Sequence, residues 1–427
     1  MDRLGERRRR GIATAIAGAV VAAVGFTGCT GGTVDPAVQF DAVDASIPGD
    51  SATALQQVLD EAVALSGSSG GLATVLAPWA GDWTGVSGTD RFGDDAEPVS
   101  PDGTFHLAGV TTEMTCLVLL RLADAGVVEL DDRVSTYVDD MPGLDGITLE
   151  QLCRHTSGLA DYYPNLRPHF IQNPERPWAT MELISAGLAM SRTAAPGEAY
   201  SYSRTGILLL AVALERATHR GFGDLLREQV IGPLGLDDTG IPDPKDVAHE
   251  GALGAFAAGT APDGSPDCAA RYDDSRQSSS MGGAAAGAIS SLDDAARLSL
   301  AFATGSLVSE GTLRAQWTTA PVPGAEPWVG QGLGGVQYGA LRGTASETAG
   351  ALTAAFTDPD SGLTVVVALN NSSSGQDFVR EVAFALASLA SKLPPAADSA
   401  QPLIELPWSF EQAKERMAQL ARCSTTQ

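Results

Sequence analysis

Apolar positions recur with two periods along this chain, and the changes of period mark out its elements. Leu55, Val58, Leu59, Ala62 and Val63 share one helical face over residues 51–65. Gly70-Gly71 reads as the stop of that helix, and residues 72–76 read as a strand. A hairpin partner is expected at residues 83–86, after Gly81-Asp82. Residues 112–125 are apolar nearly all round (Met114, Leu117, Val118, Leu119, Leu120, Leu122), the mark of a buried helix, with Gly126 as its stop. Thr148-Leu149-Glu150-Gln151 is a capping box that opens a short helix. Residues 180–192 and 205–218 also read as helices. Strands return at 352–356 and 363–369 around Asp358-Pro359-Asp360-Ser361-Gly362. A helix with Phe378, Val382, Leu386 and Leu389 on one face follows, with Pro394-Pro395 as its expected end. Strands at both ends with helices between them predict an α+β domain. Its antiparallel sheet would be built from both chain ends and flanked by helices, with a helical subdomain.

The first 28 residues read as a targeting segment rather than as fold. Arg3 and the run Arg7 to Arg10 precede an uncharged stretch from Gly11 to Gly28, which ends in Phe26-Thr27-Gly28-Cys29. Small residues before a cysteine suit a lipobox, so Cys29 is the expected lipidation site and the protein is expected outside the cytoplasm, held at the membrane. The arginine run hints at twin-arginine export, and an uncleaved anchor is the alternative, since 18 residues sit at the lower limit for a span. Residues 29–48 read as a tether, 49–393 as the domain and 394–427 as a tail with a short amphipathic helix near 409–422.

Charge narrows the function. The 427 residues hold 27 Lys+Arg against 52 Asp+Glu, a formal charge of −25, which becomes −28 without residues 1–28. So acidic a chain lacks the cationic surface that phosphate contacts require, and no nucleic-acid partner is expected. Only three residues are lysine: Lys245, Lys392 and Lys414. Beyond Cys29 there are four cysteines, Cys116, Cys153, Cys268 and Cys423, which allow three disulfide pairings. Cys116 and Cys153 stand on predicted helices and are the pair singled out; buried free thiols are the alternative. No spacing matches a zinc site, so neither metal nor cofactor is expected.

Three familiar patterns fail on context. Gly67-Ser68-Ser69-Gly70-Gly71 fits GxSxG but joins a helix to a following strand, the reverse of a nucleophile elbow. Gly330-Gln331-Gly332-Leu333-Gly334-Gly335 fits GxGxxG but runs into Val336-Gln337-Tyr338 rather than into a helix that could receive a phosphate. Among HxG matches, His219-Arg220-Gly221 ends a helix and His249-Glu250-Gly251 lies in a polar connection.

Other landmarks belong together. They are Gly81-Asp82-Trp83-Thr84-Gly85-Val86-Ser87-Gly88, Phe105-His106-Leu107-Ala108-Gly109-Val110-Thr111, Gly126-Val127-Val128-Glu129-Leu130-Asp131-Asp132, His155-Thr156-Ser157-Gly158-Leu159, Pro233-Leu234-Gly235-Leu236 and the strand pair around Asp358-Pro359. Through these the chain, from about residue 51 to 391, resembles the serine β-lactamase and D-alanyl-D-alanine carboxypeptidase family, on the side of class C β-lactamases and related esterases. The resemblance implies an SxxK helix turn whose lysine activates the serine, a YxN motif whose tyrosine shuttles the proton, and a Lys/His-x-Gly strand lining the pocket. All three are degenerate here. Gly109 stands at the serine position and Thr112 at the lysine position; Tyr202-Ser203-Arg204 replaces YxN; Thr344-Ala345-Ser346 falls on the third motif. The residues three before the lysines are Pro242, Leu389 and Glu411, so the chain contains no SxxK at all. Tyr163-Pro164-Asn165 fits YxN but directly follows the HTSGL block, where the family has another loop.

The expectation is a pseudoenzyme with no catalytic residues. Its cleft would hold Thr112, Glu113, Tyr202, Arg204 and Ser346, with Arg204 placed to receive a carboxylate such as ends a peptidoglycan stem peptide. The partner would be a peptidoglycan fragment or an envelope protein. Two other readings stay open: an active hydrolase with a non-standard nucleophile, and a scaffold lipoprotein. For the individual residues, ordinary packing of Tyr202, a surface ion pair for Arg204, and loop or capping roles for His155, Thr156 and Ser157 compete with any binding role.

Overall fold

The computed structural model describes residues 34–249, 251–396 and 399–424. The expected targeting segment, Cys29 and residues 30–33 of the expected tether lie outside them.

Eight antiparallel strands form one sheet that interleaves the two ends of the chain. Their order is Gly81–Gly88, Gly70–Ala77, Thr364–Leu369, Ala351–Thr357, Leu341–Thr348, Val336–Tyr338, Val329–Gln331 and Ala320–Pro321. The N-terminal strand Gly70–Ala77 is zipped to Thr364–Leu369 from Gly71 opposite Leu369 to Leu76 opposite Thr364. Period-2 alternation sends neighbouring residues to opposite faces. Leu72, Val366 and Ala368 enter the core shared with the helical layers, whereas Ala73, Val75, Val365 and Val367 enter a second core. The helices Gly49–Ser66, Gly375–Ala390 and Phe410–Leu420 contribute to that second core. Burial on both faces explains why these strands are nearly continuous apolar runs. The helix Thr111–Asp124 is buried from Thr111 through Leu120, as its all-round apolar sequence requires.

The expected elements are present with shifted edges. The first helix stops at Gly67, in the left-handed conformation, and Gly70-Gly71 already belongs to the next strand. The reason is packing: the backbone around Gly67 closes on the carbonyl of Cys423, 2.1 Å from where a Cβ would stand. The helix Gly375–Ala390 ends four residues before Pro394, so the prolines follow its end rather than cause it. The Thr148 capping box opens Leu149–Cys153 as expected.

The described residues of the expected tether and tail both pack on the domain. Val43 N–H donates to Pro78 O, Asp82 N–H donates to Ala45 O, and Ile47 is buried. In the tail, Ala413 and Met417 are buried, and Trp408 stacks on Phe384 with ring centroids 3.8 Å apart. The four cysteines pair as Cys116–Cys153 and Cys268–Cys423, and the second bond fastens the tail to the strand Pro266–Asp273.

Candidate functional site

The short strand Phe105–His106 leads through the turn Ala108–Val110 into the helix Thr111–Asp124. Helical spacing places Gly109 and Glu113 on one face. Opposite runs the strand Leu341–Thr348, on which Thr344 and Ser346, two apart, share a side. Gly109 therefore faces Ser346, and Glu113 faces Thr344. A Cβ on Gly109 would stand 2.4 Å from Ser346 Oγ, 2.8 Å from Ser346 Cβ and 3.1 Å from the Tyr202 hydroxyl. The three degenerate motifs do converge, and the Ser346 side chain fills the room where a nucleophile's side chain would begin.

The threonine hydroxyls of the helix are tied to the scaffold. Thr112 Oγ1 donates to Ala285 O at 3.0 Å, Thr111 Oγ1 to Ala108 O at 2.7 Å and Thr115 Oγ1 to Ala284 O at 2.6 Å. Thr112 thus anchors the helix Gly283–Ala286 instead of presenting a base. Burial pushes the Glu113 carboxyl up to about 8, against a downward pull from the Thr344 hydroxyl, so it is neutral at pH 7. Burial also raises the Tyr202 phenol, with Arg204 pulling the other way, and Tyr202 stays protonated. His155, its ring centroid 4.5 Å from that of Tyr202, is driven down to about 3 by burial and then by the Arg204 charge. So weak a base takes no proton from a serine or threonine hydroxyl at neutral pH. Lys245 and Lys392 are exposed, and Lys414 pairs with Glu61, so no lysine reaches the site.

Arg204 opens the helix Arg204–Thr218 behind the Ser203 cap, whose hydroxyl accepts from Gly206 N–H. Its side chain is buried and held through both terminal nitrogens, while Nε, also buried, has no partner. Nη1 meets Asp161 Oδ2 at 2.7 Å, Nη2 donates to Glu347 O at 3.0 Å, and the guanidinium lies 4.0 Å over the Tyr163 ring. Burial alone would lower its pKa; Tyr202 and Asp161 outweigh it and hold the cation firmly charged. Arg204 is therefore not a surface ion pair but a buried one with Asp161, and an incoming carboxylate would compete with Asp161 for it. No local pattern links residue 161 or 347 to 204, so the sequence announces neither Asp161 nor the Glu347 carbonyl as a partner, and it offers Tyr163 only within a misplaced YxN match. Pairing of the site strand with Val336–Tyr338 ends at Gly343, so Arg204 also takes a carbonyl on the open part of its edge.

The HTSGL block is scaffold. His155 has φ 53°, its carbonyl accepts from Ser201 N–H at 2.7 Å, and its Nδ1 accepts from Ser203 N–H at 3.3 Å. Gly158 has φ 70°, and a Cβ there would meet Ala194 O at 2.0 Å. These contacts position the loop that carries Tyr202. The glycine run before Val336 serves close packing: a Cβ on Gly334 would stand 2.6 Å from Cys116 Cβ, beside the buried disulfide. Tyr163-Pro164-Asn165 opens the helix Tyr163–Gln172, and His219 caps the helix before it. A cavity of about 630 Å³ is lined by Arg91, Glu175, His249, Asp273 and Arg276 among others, and shares no residue with the site.

The family described as Beta-lactamase matches residues 57–390. Among curated relatives, penicillin-binding protein 4* of Bacillus subtilis is 30% identical over 176 residues, 39% of this chain and 37% of that protein. The D-alanyl-D-alanine-carboxypeptidase/endopeptidase AmpH of Escherichia coli is 35% identical over 158 residues, 36% of this chain and 40% of that protein. The chain thus matches well under two thirds of those relatives' lengths. Among solved structures, a D-stereospecific amidohydrolase from Streptomyces sp. superposes with a TM-score of 0.68 at 27% identity, over 79% of this chain and 99% of that one. A D-amino acid amidase from Ochrobactrum anthropi shares the fold, with a TM-score of 0.65 at 21% identity over 76% of this chain and 92% of that one. Matched across most of its length in sequence and in fold, the chain belongs to the beta-lactamase family, with the serine β-lactamase and penicillin-binding-protein architecture.

Proposed function

We propose that this protein is a catalytically silent member of its family, exported and held at the membrane through Cys29, which binds at the cell envelope without turning a substrate over. One observation carries the reading: Thr112 occupies the position of the family's lysine, and its hydroxyl is spent on the Ala285 carbonyl. With a neutral Glu113, a protonated Tyr202 and a histidine held near 3, no group beside Gly109 can take a proton from a nucleophile at neutral pH. Loss of nucleophile and base together costs about 10⁶-fold in a serine hydrolase. The named activities of the relatives, carboxypeptidase, endopeptidase and amidase, require chemistry that these residues do not supply.

The ligand side of the proposal is a peptidoglycan fragment ending in a carboxylate, or an envelope protein. A carboxylate that reaches Arg204 must displace Asp161 from it. Titration of a stem peptide ending in D-alanyl-D-alanine into the wild type and R204A tests this: binding is expected for the wild type and lost in the variant. Equal affinity in the two removes Arg204 from recognition and leaves a protein partner as the reading. Hydrolysis of a chromogenic cephalosporin, or of a D-amino acid amide, above the buffer rate would favour an active enzyme, with the unpartnered Ser346 hydroxyl as its nucleophile.

A further inference from the structure

We infer that Gly109 and Ser346 are two halves of one volume exchange, and that Ser346 keeps the nucleophile position closed. Position 109 accepts a side chain, and with it a hydroxyl, only once Ser346 has given up its own. The inference deepens the silent reading, on which its chemical meaning rests, by naming the residue that enforces the silence.

The resemblance places a serine at 109 and a glycine at 346; this chain has each residue where the other belongs. The geometry makes the two changes interdependent. The Ser346 oxygen and its Cβ lie 2.4 and 2.8 Å from the point where a Cβ at 109 would be, well inside van der Waals contact. Neither side can yield cheaply. Ser346 is paired opposite Thr353 within the sheet, so its Cβ is fixed by the ladder. Gly109 sits in the turn Ala108–Val110, between the buried residues Leu107 and Val110, with Leu107 N–H bonded to Ala288 O. Tyr202 closes the third side, its hydroxyl 3.1 Å from the same point. Rotating Ser346 moves its oxygen but leaves its Cβ in place, so the block does not depend on one rotamer. A mutation that restored only the serine at 109 would meet this block before any chemistry began.

A stability cycle over G109A, S346G and the pair tests the inference in the full domain. Overpacking of this kind should lower the melting temperature of G109A by roughly 3–8 °C. S346G alone, which removes one small buried side chain, should lower it by about 1–4 °C. The double variant should melt no lower than S346G, because the new methyl occupies the vacated place. G109A/S346A, which keeps the Ser346 Cβ, should recover less than G109A/S346G. If G109A fails to fold, recovery of soluble protein in G109A/S346G supports the exchange just as well. Additive losses in the double variant, an unchanged G109A, or a double variant that fails where S346G folds would overturn it. An acyl adduct on the wild type would end the silent reading while leaving the outcome of this cycle untouched, so the two failures are distinguishable.

Discussion

The two walls of the site have kept different things. The wall from His155 to Gly158, with the loop that ends in Tyr202, retains the HTSGL block and the tyrosine of YxN, and loses only the asparagine, which is Arg204. The facing wall, the turn at Gly109 with the strand through Thr344 and Ser346, retains none of the chemical ones. On the first wall the retained residues of the HTSGL block hold backbone: a carbonyl accepting from Ser201, a ring nitrogen accepting from Ser203, a left-handed glycine against Ala194. On the second wall the lost residues would have acted on a substrate, and their replacements pack against one another or bond to main-chain carbonyls. Signature residues thus divide into those that build the fold and those that do the chemistry, and this chain keeps the first set while of the second it keeps Tyr202 alone.

The walls meet at Arg204, and the largest effect is expected there. D161A leaves a buried guanidinium without its partner and should cost about 3–5 kcal/mol in urea unfolding. R204L added to D161A should recover much of that loss, since it removes the stranded charge. An unchanged midpoint in D161A would mean that the pair does not hold the walls together. Next come the disulfides. Cys116–Cys153, fully buried between two helices and spanning 37 residues, should contribute about 3–4 kcal/mol by loop closure. Mild reductant should open Cys268–Cys423 first, because Cys268 is exposed, and differential alkylation read by mass spectrometry should label Cys268 and Cys423 before Cys116 and Cys153.

The smallest expected effect is on pH dependence. The folded protein keeps the Glu113 proton up to about 8, whereas the unfolded chain sheds it near 4.5. Between those values the folded state binds more protons, so this contribution to stability falls as pH rises. Burial does the same to Asp274, also pushed up to about 8, against the opposing pull of Arg167. The buried His155 and His106, held near 3 and near 4, act in the opposite sense: they stay uncharged in the fold, and stability is lost as pH falls below 6.5. From pH 6.5 to 8 the two acids dominate, and stability should decline with rising pH. E113Q should flatten that decline by about 1–2 kcal/mol across the window. A slope unchanged by E113Q would mean that Glu113 is ionised in the fold.

Much of the architecture is legible along the chain because it rests on local periodicity. The helix after Gly109 is apolar all round, the two strands flanking Asp358-Pro359 are apolar runs, and the Thr148 box closes on its own third residue. What is not legible depends on distant contacts. Gly70-Gly71 looks like a helix stop until the strand opposite supplies Ser87 and Gly88 as partners. Residues 43–47 and the tail look like appendages until Pro78, Phe384 and Cys268 are brought beside them. The site divides in the same way. The loss of SxxK can be counted from three lysines, and the motif positions Gly109, Tyr202 and Ser346 do meet. Asp161, which neutralises Arg204, lies 43 residues away with no pattern to announce it. Nor does any spacing reveal that Ser346 fills the place of the missing nucleophile.

A silent site forms no acyl adduct, and one experiment addresses that directly: intact-protein mass spectrometry of residues 30–427 after prolonged incubation with a reactive β-lactam. The unmodified mass is the predicted result. A mass increase of one acyl group would contradict it, and peptide mapping, beginning with Thr111, Thr112 and Ser346, would name the nucleophile.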